Sequence, residues 1–78
     1  MKKQKELAQL IAKKRLKPPE AERMLRLDSW VDDPNDTCGT SHKQFVHPVK
    51  KGKVTIPFHV KELTEQTTRS IKKQAGLL

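Results

Sequence analysis

Gly39-Thr40-Ser41-His42-Lys43-Gln44-Phe45-Val46-His47-Pro48 is the stretch whose reading decides the fold. Its three small residues suit a tight turn, the next residues alternate as a short strand does, and the proline ends the run. Side chains of a strand point to opposite faces in turn, so Phe45 takes one face while His42, Gln44 and Val46 take the other. If Phe45 faces a core, His42 faces away from it. An outward imidazole between Ser41 and Lys43 is the strongest candidate for chemistry in the chain.

The flanking sequence turns this strand into half of a hairpin. Val49, Lys50, Lys51 and Gly52 read as a turn, and residues 53–58 alternate again with Val54, Ile56 and Phe58 on one side. Pro57 marks an edge or the strand's end. Residues 41–47 and 53–57 are therefore expected to pair antiparallel, burying Phe45, Val54 and Ile56. Trp30-Val31 can begin a further strand, but residues 32–36 are turn chemistry throughout.

Three helical segments surround the hairpin. In residues 2–16, Leu7, Leu10 and Ile11 recur at helical spacing with no breaker before Pro18. The lysine-rich back of this helix reads either as an arm for a polyanion or as the wet side of a packed helix. Residues 19–28 form a second helix, with a proline at its start, Glu20 and Glu22 near its positive end, and Ala21, Met24 and Leu25 as the buried stripe. The last helix spans about residues 66–75, capped by Thr64 or Thr67 at its start and by Gly76 with Leu77 at its end. Ile71 and Ala75 are its inward pair.

With 78 residues the chain is at most one domain. A domain of this size buries only about 60% of its unfolded surface, so its stability margin is small. The single cysteine, Cys38, excludes an internal disulfide framework and fits a reducing cytoplasm. No apolar run reaches the roughly 18 residues of a membrane span. The short apolar patch after the basic start is broken by Gln9 and followed by Lys13-Lys14-Arg15, which does not read as a signal peptide. Net charge is +8, distributed as +6 over residues 1–17, −4 over residues 18–38 and +6 over residues 39–78. A small, basic, aromatic-poor chain of this kind most often meets nucleic acid.

Metal chemistry is poorly served. Asp28, Asp32, Asp33 and Asp36 lack the spacing and central glycine of a calcium loop. Cys38, His42, His47 and His59 lack the paired ligands of a structural zinc site. A lone histidine in basic surroundings fits metal-free RNA cleavage, in which the 2′-hydroxyl is the nucleophile. The protein then supplies only proton transfer and charge stabilisation.

One family shares these features in order. Gly39-Thr40-Ser41-His42, Phe45, His47-Pro48, Val54-Thr55-Ile56-Pro57 with His59, Lys61-Glu62-Leu63, and Thr67 through Leu77 together resemble the HicA toxin endoribonucleases. The likeness is close over residues 39–78 and looser from Pro19 to Trp30. It implies a helix–strand–strand–strand–helix fold like a double-stranded-RNA-binding domain. It also implies cleavage of mRNA by the histidine matching His42, and inhibition by a HicB antitoxin.

The reading is thus an α+β domain over residues 18–78, with a small three-stranded antiparallel sheet, helices on one face and an extra basic helix in residues 1–17. The expected function is a cytoplasmic toxin mRNA interferase needing no cofactor or metal. His42 is its catalytic residue, and Lys43, Lys53 and Arg69 are its phosphate contacts. A non-catalytic RNA-binding module of the same fold, or an inactive relative kept as an antitoxin ligand, are the rival readings.

Overall fold

In a computed structural model that describes residues 2–35 and 42–78, the elements run α1 (Lys2–Ala12), α2 (Pro18–Leu27), β1 (Val31–Asp32), β2 (His42–Val46), β3 (Lys53–Pro57) and α3 (Glu65–Gln74). The expected turn at residues 39–41, together with Asp36 and Cys38, lies outside the described residues. The strands form one antiparallel sheet in the order β1-β2-β3. The hairpin expected from the alternation is present, with His42 opposite Pro57, Phe45 opposite Val54 and Val46 opposite Lys53. β1 is only two residues long and pairs Val31 with Val46 and Asp32 with Phe45. The turn-forming residues that follow it explain its brevity.

Strand alternation sorts the sheet into two unlike faces. Phe45, Val54 and Ile56 are fully buried, packed in one cluster with Ala21, Met24 and Leu25 of α2 and with Ile71 of α3. Trp30 and Leu63 belong to the same cluster, each 1% exposed. Burying a side chain of this size is worth roughly 1.5–3 kcal/mol, so this single layer supplies most of the driving force available. The opposite face, carrying Val31, His42, Gln44, Lys53 and Thr55, has no helix over it among the described residues and is largely exposed. This is the α+β architecture with helices on one face that the sequence leads one to expect.

Local chemistry sets the helix ends. Thr64 caps α3, its side chain accepting the Thr67 N–H at 3.1 Å. At the other end Gly76 takes a φ of 72°, and the Leu77 and Gly76 amides reach back to the Lys72 and Lys73 carbonyls. α2 ends in the same way on a less suitable residue: Ser29 adopts a φ of 74° while Trp30 N–H bonds to the Leu25 carbonyl.

The first helix is shorter than its sequence promises. Helical spacing and the absence of a breaker predict helix to residue 16, yet α1 stops at Ala12. The reason is tertiary. The Leu16 N–H donates to the Thr68 hydroxyl at 3.2 Å, its carbonyl accepts the Leu63 N–H at 2.9 Å, and its side chain is fully buried. The Lys72 ammonium caps the Lys13 carbonyl just beyond the helix end. Non-helical backbone at residues 13–17 gains these bonds, which a fourth helical turn would forfeit. Among the described residues, no helix is long and apolar enough to cross a membrane.

Candidate functional site

His42 opens β2 on the helix-free face of the sheet, and it is exposed. The hairpin register that sets His42 opposite Pro57 also carries the chain past β3 to His59, another exposed residue. The two imidazoles stand with ring centroids 5.2 Å apart and planes tilted by 48°. From the sequence alone His59 reads as a residue that caps a strand end rather than one that meets the scissile phosphate. The signal that finds it is the register itself, since a position two residues beyond Pro57 returns to the neighbourhood of His42.

His47, at the other end of β2, is engaged on both ring nitrogens. Its Nε2–H donates to the Asp28 carbonyl at 2.7 Å, while Nδ1 accepts the Val49 and Lys50 amides, each at 3.0 Å. Accepting twice at Nδ1 fixes the neutral tautomer with the proton on Nε2. The ring also meets Trp30 edge-on at 5.2 Å. Beside it, the Lys50 ammonium bridges Asp28 at 2.5 Å and the Ala75 carbonyl at 2.9 Å, joining the ends of α2 and α3. This histidine shapes the turn and has no ring nitrogen left for a substrate.

The three cations singled out in the sequence are not gathered around His42. Lys43 follows Phe45 onto the helix side, where its ammonium lies 5.2 Å from the Phe58 ring and 3.8 Å from Glu22. Lys53 does share the open face, but its ammonium is held 2.9 Å from the Asp33 carboxylate. Arg69 lines a shallow cleft between α1 and α3 in the helix layer, together with Lys13, Lys14, Glu65 and Lys72. Lys61, two residues past His59, is exposed.

The acidic segment resolves into separate neutralised sites. Asp28 pairs with Lys50, Asp32 with Arg26 at 3.1 Å and Asp33 with Lys53. The Asp33 side chain is 2% exposed; the Asn35 backbone N–H, and after it Lys53, hold its carboxyl below the usual range. Lys72 shows the opposite case: burial between α3 and the residues after α1 pulls its ammonium pKa down. Among the described residues, no three His, Cys, Asp or Glu side chains converge as metal ligands would.

The arrangement therefore offers an exposed pair of imidazoles at one edge of an uncovered sheet face, on a protein whose excess charge is positive. Two imidazoles side by side are suited to a reaction with one proton removed and one returned. A comparison with curated proteins finds no match. A family model described as the HicA toxin of bacterial toxin-antitoxin matches residues 19–77.

Proposed function

The chain belongs to the HicA toxin family of bacterial toxin–antitoxin systems, and from that premise we propose that it is an endoribonuclease that cleaves mRNA with His42 as general base. The observation that carries this reading is the exposed His42 imidazole on the helix-free face of the sheet. There it takes the proton of a 2′-hydroxyl as that oxygen attacks the adjacent phosphorus. The substrate supplies its own nucleophile, so the step calls for no metal-bound water.

Lys43, Lys53 and Arg69 act in this proposal as sources of attraction rather than as contacts to the reacting phosphate. Each is engaged or placed away from His42, and exposed charges still act over a Debye length of about 8–10 Å. Affinity for RNA should accordingly fall as salt displaces the counterion term. A cognate HicB-like antitoxin in the same cytoplasm would silence the enzyme by covering the open face. Residues 18–78 make up the toxin module in this scheme, and residues 1–17 form an extension clasped to it by α3.

The test is His42→Ala assayed on RNA in excess chelator. Wild type should cut, and the variant should lose about 10²–10⁴ in rate. Its melt should stay within about 0.5 kcal/mol of wild type, because no core contact is removed. A variant that folds normally and still cuts RNA refutes the assignment. A wild-type protein that binds RNA without cutting it would mark a non-catalytic module instead.

A further inference from the structure

We propose that His59 is the second catalytic residue of this site, the general acid that protonates the departing 5′-oxygen. The inference rests on the reading of His42 as the base. Transesterification of RNA moves two protons. As the O2′–P bond forms, the 2′-hydroxyl proton passes to His42. As the P–O5′ bond breaks, the leaving alkoxide needs a proton in turn. The products are a 2′,3′-cyclic phosphate and a free 5′-hydroxyl, and solvent returns the two imidazoles to their starting states.

Three features of the structure point to His59 for the second transfer. Its ring centroid is 5.2 Å from that of His42, close enough for both rings to address oxygens on one phosphorus. The planes are tilted by 48° rather than stacked, so the rings do not cover each other's faces. Both residues are exposed, and both are placed by the same hairpin: His42 through its register with Pro57, His59 two residues further along the chain. The third histidine is excluded, because His47 has committed both nitrogens to the backbone. An acid and a base that flank a single phosphorus from neighbouring strand ends need no third group to complete the proton balance.

A substrate whose leaving atom needs no proton separates this role from others. In RNA carrying a 5′-bridging sulfur at the cleavage site, the leaving thiolate departs unprotonated. His59→Ala should cut ordinary RNA about 10²–10⁴ more slowly than wild type, yet cut the sulfur-linked RNA within a few fold of it. His59→Gln, which keeps a polar side chain at the position, should behave the same way. His42→Ala should be slow on both substrates, since the 2′-hydroxyl still needs its base. Wild-type rates on ordinary RNA in both His59 variants would overturn the proposal. Equal losses on both substrates would overturn it too, by showing that His59 holds the RNA and donates no proton. Normal cutting by His42→Ala would remove the base assignment, whichever way the His59 variants behave.

Discussion

The two ends of the β2–β3 hairpin each carry a histidine, and the two side chains are used in contrary ways. At the turn end, His47 is half-buried against Trp30 and spends both nitrogens on backbone groups, tying β2 to the end of α2. At the open end, His42 is exposed on a face that no helix of the described residues covers, with His59 beside it. One imidazole is part of the scaffold; the other is presented by it. Residue type alone does not mark a reactive histidine. The two residues differ in the face of the sheet they occupy and in their exposure.

The largest perturbation should erase the contrast altogether. Phe45 lies between the two ends and is fully buried, so Phe45→Ala should cost about 3–5 kcal/mol, enough to unfold a domain this small. Thermal melts should show no cooperative transition near that of wild type, and RNA cleavage should vanish with the fold. A well-folded Phe45→Ala protein would mean that the core does not depend on this face of β2.

A smaller effect should separate the ends. His47→Ala removes the bonds to the Val49 and Lys50 amides and the Asp28 carbonyl, and a bond of this kind is worth about 0.5–1.5 kcal/mol net. The expected result is a lowered melt with cleavage at wild-type rate wherever the variant remains folded. A normal melt with lost cleavage would place His47 in the chemistry and break the comparison.

The smallest effect concerns pH and sharpens the picture at the turn end. The folded-state pKa of Asp33 is depressed by the Asn35 amide and by Lys53, so the folded protein binds fewer protons here than the unfolded chain does. Its stabilisation is complete above the ordinary carboxylate value of 3.8 and is lost as pH falls through the depressed folded value. Urea melts of wild type and Asp33→Asn should therefore differ at neutral pH and converge in acid. Parallel curves across that range would show that the Asp33–Lys53 pair does not stabilise the sheet.

Much of this architecture is legible in the residues themselves. Alternation in residues 42–46 and 53–57 places Phe45, Val54 and Ile56 inside and His42 outside, because a period of two leaves little freedom once one large aromatic is fixed. The cap at Thr64 and the glycine at residue 76 carry their own local chemistry. Two of the features that escape such reading, the end of α1 and the nearness of His59, share a cause. The early end of α1 depends on a bond between residues 52 positions apart, which no local pattern encodes. Adjacency in sequence links Lys43 to His42, although the same alternation that turns His42 outward turns Lys43 toward α2. The nearness of His59 needs the register, and the register needs the turn.

The bond from Leu16 to Thr68 bears on where this protein begins as a physical object. The family likeness starts at residue 19, three positions after a leucine with no exposed surface. Thr68 and Lys72 interrupt the apolar stripe of α3, and both turn their polar atoms to the segment just before that border. If residues 1–17 were cut away, the remainder would keep its family signature and lose the lid of its own core. The Thr68 hydroxyl and the Lys72 ammonium would lose their backbone partners. Kinship and cooperativity thus draw different borders on the same molecule, and a fragment trimmed to the first would be judged unstable for want of the second.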